Sequence, residues 1–496
     1  MPVSKPLSRT RSILQWLSWF HRWSGVAFCL FFAVWFASGL VMVFVPFPSL
    51  VDRDRLAGAE PLALSRLAID PASALATAGG GEALRLVSIT GRPYYVATHN
   101  ASFSVIDGET GVTGEPINAV KAEAIAAGFG EARVRSVTGP FDYDQWVVHN
   151  KFDPWRPFYR LALEDAEGTV LYVSARTGEV VQRTRATERR WNWLGSVPHW
   201  LYFTALRQSF TAWDRTVWWL ALAALASATV GTFLGIYRTY QRVALKRPGW
   251  SPFRGWLRWH HGLGLAAALF VLMWIFSGWL SMDHGRLFSR GVPDAKSTSI
   301  YAGQPLQSAL RGVPLNALSD LTGSTEIAFN VVGGHPVAVG RNGSKSRVKV
   351  LDESVSGGLA DTLAPELIAR AAALAWPLAA HHQPRLPSDA LYKENDAIPA
   401  NALRFELAHP KGAALYIDAE TGRPLVLLDS SRKAYAWVYL ALHTTKFPGL
   451  VERPTLRRCL QIVLLVLGLA FTLTGVVLGA KRLLASMPKT NTRKAA

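Results

Sequence analysis

Four long stretches of this chain carry no charge at all: Val26–Val45, Val217–Tyr237, Gly262–Met282 and Leu460–Ala480. At about 1.5 Å per residue, each would span roughly 30 Å as a helix, the thickness of a bilayer's hydrocarbon core. The chain is therefore expected to cross a membrane four times. Only 18% of its residues are charged, against about 25% in an ordinary soluble chain, so a soluble enzyme is excluded. Disorder is excluded too, because the segments between the spans alternate apolar and polar residues as folded strands do.

Charge sets the expected orientation. Met1–Arg22 carries Lys5, Arg9, Arg11 and Arg22 and no acid. Arg238–His261 carries Arg238, Arg242, Lys246, Arg247, Arg254 and Arg258, and the tail adds Lys481, Arg482, Lys489, Arg493 and Lys494, again without an acid. With four crossings these segments share one side, and positive charge stays in the cytoplasm. The expectation is a bacterial inner-membrane protein with both termini cytoplasmic and two long periplasmic segments. It divides into a cytoplasmic tail with the first span (1–46), a first outer domain (47–214), a second span (215–238) and a basic cytoplasmic loop (239–260). A third span (261–283), a second outer domain (284–457), a fourth span (458–480) and a cytoplasmic tail (481–496) follow.

Ala37-Ser38-Gly39 resembles a signal-peptide cleavage site, but the apolar run exceeds the roughly 7–15 residues of a signal-peptide core. The first span is read as retained. The basic segments account for most of the net charge of +18. Because they flank spans, no nucleic-acid partner is expected. Many of the 19 Trp, including Trp16, Trp19, Trp218, Trp219, Trp256 and Trp259, stand near span ends, where indole rings settle at the lipid interface. Cys29 and Cys459 are the only cysteines, so neither a disulfide framework nor a Cys-based cluster is available.

Spacing reveals an internal repeat. His21 is followed by Gly25 and Gly39, and His260 by Gly264 and Gly278, at intervals of 4 and 18 in both cases. Trp193 precedes His199 by 6 and Gly231 follows it by 32; Trp437, His443 and Gly475 repeat those intervals. The chain thus reads as two tandem copies of span–outer domain–span in the same orientation, related by an axis along the membrane normal. In the outer segments, Ser104–Gly111, Leu171–Gly178 and Leu415–Gly422 each alternate like a strand and end in Thr-Gly, a turn signal because Gly accepts positive φ. Helical stretches at Val120–Gly128 and Ala364–Ala375 complete small α+β modules, at least one per outer segment.

Four of the twelve histidines occupy equivalent places in the two copies. His21 and His260 lie at the cytoplasmic mouths of the first and third spans, and His199 and His443 lie outside, before the second and fourth. Facing imidazoles on neighbouring helices are what bis-histidine haem ligation requires. Another metal, or His serving as polar anchors at the interface, are the alternatives. The interval from each His to the second Gly is five helical turns, so Gly39 and Gly278 share a face with His21 and His260 and reach the outer His level. Gly231 and Gly475 come near the inner level, leaving clearance for a flat macrocycle or, alternatively, for close helix packing. His261 and His284 are reserve ligands. Arg22 and Arg258 inside, and Arg207 and Lys446 outside, are candidates for pairing with propionates or for snorkelling to the interface. His381 and His382 could touch a substrate; the other histidines read as ordinary domain residues.

His-x-x-x-Gly opening a span, Ser-Gly near its end, Tyr-x-x-x-x-Thr-Gly turns and Leu-His or Pro-His before the next span together resemble the PepSY-associated transmembrane proteins. Ser277-Gly278-Trp-Leu-Ser281-Met282 and Asp153-Pro-Trp-Arg-Pro-Phe-Tyr-Arg160 are especially similar. The resemblance implies a four-helix membrane protein with two PepSY-like α+β periplasmic domains. Some members are di-haem ferric-siderophore reductases of the inner membrane, which implies two haems b on His21, His199, His260 and His443. The expected function is transfer of electrons from a separate cytoplasmic or quinol donor to an outer ferric chelate such as a ferric siderophore. No Gly-x-Gly-x-x-Gly follows a strand, so the donor is expected on another molecule. The competing expectations are a non-catalytic PepSY envelope protein that binds peptides or regulates a protease, and a transporter. Against the transporter, the spans contain no Asp, Glu, Lys or Arg to form a coupling site.

Overall fold

In the computed structural model, residues 9–352, 358–379 and 390–486 are described. His381 and His382, the outermost basic residues Lys5, Lys489, Arg493 and Lys494, and the ends of both tails lie outside the described residues. The chain separates into two compact units. One gathers residues 1–47, 191–287 and 437–496, and the other residues 48–190 and 288–436.

The first unit is helical. Its four long helices are α1 (Arg9–Phe44), α4 (Phe210–Ala244), α5 (Trp256–Ser281) and α7 (Pro454–Ser486). All four are long and apolar enough to cross a membrane. They have 36, 35, 26 and 33 residues, so they outrun the uncharged stretches. α4 and α5 also extend into the segment 239–260 that reads as loop from sequence. The reason is that a helix does not end where its apolar run ends; good helix formers such as Gln241 and Arg242 continue it. α1 packs against α4 and α7, and α5 packs against the same two. α1 and α5 therefore face each other across the bundle. Phe36, Phe270 and Ile275 form the centre with Ala224 and Ala267, joined by Phe32, Trp35, Trp274 and Phe471. The short helix α3 (Ser196–Trp200) lies on α1, and a π-helical turn at Trp437–His443 lies on α5.

The second unit is built from sheets. Strands β1 (Ala83–Ile89), β2 (Arg92–His99) and β3 (Ser102–Asp107) come from the first outer segment. Strands β8 (Glu326–Val332), β9 (His335–Asn342) and β10 (Lys345–Val350) come from the second. They join in one six-stranded sheet of order β10-β9-β8-β1-β2-β3, closed by antiparallel pairing of Leu84 with Phe329 and Val87 with Glu326. A separate meander runs β4 (Val134–Phe141), β5 (Phe158–Leu163), β6 (Val170–Ser174) and β7 (Val180–Thr184). A second meander runs β11 (Leu403–Glu406), β12 (Ala414–Ile417) and β13 (Pro424–Leu428). A helix packs in the core cluster of each meander: α2 (Ala119–Gly130) contributes Ala122 and Ala126 to the first, and α6 (Pro365–Ala375) contributes Leu367, Ile368, Ala371 and Ala372 to the second, which Tyr301 joins.

The Thr-Gly turns follow β6 and β12 as expected. Gly178 and Gly422 take φ of 72° and 66°, values that a side chain would strain. Their N–H groups return to Ser174 O and Asp418 O at 2.9 and 2.8 Å.

The seam between the two outer segments buries charge. The Arg85 guanidinium lies 2.7 Å from Glu179 and 2.8 Å from Glu326, with Arg55 3.2 Å from Glu326. Trp155 Nε1 donates to Glu179 at 3.0 Å. Burial alone would raise the Glu179 carboxyl, but Arg85, Arg55 and the indole outweigh it and hold it down at about 2.

Candidate functional site

The four equivalent histidines form two pairs at opposite ends of the bundle. His21 on α1 and His260 on α5 face each other with ring centroids 6.4 Å apart and planes tilted by 33°. Two imidazoles held on opposite sides of one metal by bonds of about 2 Å have centroids roughly 6 Å apart. At the other end, His199 on α3 rests against Gly39 of α1, and His443 on the π-helical turn rests against Gly278 of α5. His21 and Gly39 stand about 27 Å apart along α1 at the usual helix rise.

Each ring leans on a glycine. A Cβ at Gly231 of α4 would come 2.4 Å from His21 Cε1, and at Gly278 it would come 3.0 Å from His443 Cε1. At Gly39 the distance to His199 Cε1 would be 3.5 Å, and at Gly475 of α7 the distance to His260 Cε1 would be 3.6 Å. All four glycines thus touch a histidine; Gly231 comes closer to it than a side chain allows, and at Gly278 a side chain would be tight.

The hydrogen bonds decide the tautomers. His21 Nδ1 donates to Ser227 O at 3.2 Å, and His443 Nδ1 donates to Trp274 O at 3.2 Å with Ser277 Oγ at 3.3 Å. His199 Nδ1 lies 3.0 Å from Ser38 Oγ, whose own hydrogen goes to Trp35 O. His260 Nδ1 lies 2.9 Å from Thr474 Oγ1, whose hydrogen goes to Phe471 O. Both hydroxyls have spent their donor, so they accept from the imidazole. All four rings are therefore protonated at Nδ1 and carry a lone pair at Nε2. None of these Nε2 atoms makes a hydrogen bond among the described residues. Burial, then the neighbouring His443 imidazole, push His199 below its usual range against the raising effect of Trp35 O; burial does the same for His443 against that of Trp274 O. Both shifts favour the neutral ring, the state in which Nε2 can bind a metal.

The two reserve ligands are held elsewhere. His261 uses Nε2 on Gly235 O at 3.0 Å and on Thr239 Oγ1, and accepts from Ser251 Oγ at Nδ1 at 2.9 Å. It carries the opposite tautomer and has no lone pair to offer. His284 pairs with Asp214 at 2.6 Å and packs on Trp218. The four cations differ. Arg22 and Arg258 are exposed, while Arg207 is buried among Tyr202, Phe210 and Trp213. Lys446 is half-buried, and its backbone N–H follows the π-helical turn to Leu440 O.

Sequence reasoning missed Ser38 and Ser277, Thr474, and the tryptophans behind the outer pair. Trp35 Nε1 donates to His199 O at 3.0 Å, and Trp35 and Trp274 each offer a carbonyl to the ring of their histidine, His199 and His443. A signal existed for two of these pairs: Trp35 follows His21 at the interval by which Trp274 follows His260, and Ser38 and Ser277 are matched in the same way. Nothing comparable marks Thr474 or Ser227.

No curated protein and no solved structure matches the chain. The family model of the PepSY-associated TM region matches residues 18–482, a span that begins just before His21 and contains all four paired histidines, both sheet-forming segments and nearly all of the four long helices. The chain therefore belongs to the PepSY-associated TM region family.

Proposed function

We propose that this protein holds two haems b in the bacterial inner membrane and passes electrons across it to a periplasmic ferric chelate, a ferric siderophore above all. The observation that carries this reading is the set of four Nε2 lone pairs, fixed in tautomer and left without a partner, in two pairs at the two ends of one bundle. Two imidazoles per level suit an iron whose other four ligands come from a macrocycle. A bare ion such as zinc takes about four ligands, and among the described residues no cluster of three or more His, Cys, Asp or Glu gathers. Trp274 Nε1 and Ser196 Oγ are buried without a hydrogen-bond partner; both adjoin the outer pair and would suit a ligand with acceptor groups.

When bound, haem b supplies reversible one-electron chemistry at its iron. His21 and His260 would hold the inner group, and His199 and His443 the outer one. Ser227 O, Thr474, Ser38 and Ser277 with Trp274 O keep the rings in the ligating tautomer and make them more basic. The four glycines give the rings their places. Phe36, Phe270 and Trp274 fill the bundle between the levels and exclude water. Each ferric ion outside takes one electron and leaves as Fe(II), which its chelator holds less tightly. The donor is a separate cytoplasmic protein or a membrane quinol.

The test is an absorption spectrum of the detergent-purified protein, oxidised and dithionite-reduced, with a pyridine haemochrome count. About two haems per chain, with one lost in His21→Ala and one in His443→Ala, is the expected result. A protein that stays colourless after haem supplementation refutes it, and a PepSY module that binds peptides then becomes the better account.

A further inference from the structure

A groove of about 770 Å³ runs beside the first turns of α5, lined by Trp250, Gly255, Arg258, Trp259, Gly262, Leu263 and Leu265. Its size falls within the roughly 300–1,000 Å³ of small-molecule pockets, and it is built in place. His261 stacks on the Trp250 ring at 5.4 Å, meets Phe253 edge-on at 5.3 Å and bonds Ser251, so one buried imidazole fixes the 250–253 segment, from which Trp250 lines the groove. Gly262 makes room for Trp250, whose ring would lie 2.8 Å from a Cβ there. The Arg258 guanidinium stands over Trp250 at 5.9 Å.

We propose that this groove binds the ring of a membrane quinol, which names the donor in the reading above and rests on that reading. Three observations favour it. The walls are indole rings and leucines with one cation, which suits a neutral ring bearing a carbonyl or hydroxyl oxygen. A phosphate headgroup asks for several donors. The groove lies at a membrane-helix end, where an isoprenoid tail can remain in lipid. Finally, Arg258 and Gly262 flank His260 in sequence at positions that turn away from its side of the helix. The groove is therefore on the opposite face of α5, about one helix diameter or 10 Å from that ring. Each quinol oxidised to quinone releases two electrons and two protons, which balances the reduction of two ferric ions by one electron each.

The test is photolabelling of the full-length, detergent-purified protein with a short-chain azidoquinone, with and without excess decylubiquinone, followed by peptide mapping. Label on residues 250–265, removed by the competitor and reduced about tenfold by Arg258→Leu, is expected. Trp250→Leu should lower the label as well; if that variant does not fold, Leu263→Trp fills the groove without deleting a contact and should abolish the label. Label elsewhere, or label unchanged in these variants, overturns the proposal. So does displacement by phosphatidylglycerol with none by decylubiquinone, which would assign the groove to lipid. Haem spectra of the same samples separate the two readings. Haem-free protein that labels in the groove rejects the haem reading alone, and haem-loaded protein that does not label there rejects the quinol site alone.

Discussion

Gly231→Ala should be the most damaging of four chemically identical substitutions, and the reason is a distance. The added Cβ would lie 2.4 Å from Cε1 of His21, 2.9 Å from Nδ1 and 3.1 Å from Nε2. Carbon atoms rest at about 3.5 Å or more, so the ring must retreat by about 1 Å. That retreat strains the 3.2 Å bond to Ser227 O and moves Nε2 out of line with His260. Overpacking of this kind costs about 1–3 kcal/mol, roughly 5- to 150-fold in the population of the paired geometry. Gly475→Ala is the control, because its Cβ would sit 3.6 Å from His260 Cε1, an ordinary contact. The gain in helix propensity of Ala over Gly, about 1 kcal/mol, then leaves Gly475→Ala neutral or stabilised. Gly278→Ala, at 3.0 Å, should fall nearer Gly231→Ala, and Gly39→Ala, at 3.5 Å from His199 and 3.2 Å from Leu465, nearer Gly475→Ala. Haem titration of the purified variants and their melting temperatures should follow this order, and the melting arm reads the clash even without haem. Wild-type behaviour of Gly231→Ala, or equal damage from Gly475→Ala, would refute the reasoning.

Three further predictions follow from the hydrogen bonds and charges. His260→Ala should remove one haem, whereas His261→Ala should keep both and lower the melting temperature, because both nitrogens of His261 tie the 251 loop to α4; a haem count and a melt of each variant decide this. Ser38→Ala and Ser277→Ala each take away a hydroxyl at Nδ1 and leave a backbone carbonyl there, Trp35 O for His199 and Trp274 O for His443. Ser38 Oγ is the closer, at 3.0 Å against 3.3 Å, so Ser38→Ala should cost the more, about 1 kcal/mol, read as weaker haem retention during dilution. Glu179 is held from its usual 4.5 down to about 2, so its carboxylate contributes stability above the unfolded value and loses it as pH falls from about 4.5 toward 2. Near-UV circular dichroism melts should show the sheet unit weakening across that window, and Glu179→Gln should flatten the dependence.

The parts of this protein that were legible in its sequence are those set by local periodicity. Four uncharged runs of bilayer length needed no partner to be recognised, since hydrophobicity and helix rise act within each run. The interval from His21 to Gly39, repeated from His260 to Gly278, returns to the same helix face, so the His–Gly spacing of both spans was readable as a pattern before any contact was known. Thr177-Gly178 and Thr421-Gly422 were readable as turns because positive φ is a property of one residue.

What depended on tertiary structure involved choices between neighbours or partners far apart in the chain. His260 and His261 are adjacent and chemically identical. They differ only because a helix turns about 100° between them, so that one faces His21 and the other meets Gly235 O and Ser251. The tautomers of the four paired rings came from carbonyls and hydroxyls on other helices, as far away as Ser227 from His21. The union of β1 with β8 joins the first outer segment to the second, held by Arg85, Glu179 and Glu326, and no local spacing announces it. Sequence carries what a residue does to its own backbone and to its helix face. Which two surfaces meet is decided by packing and charge pairing across the folded chain, because only there do the competing partners of each group come within reach.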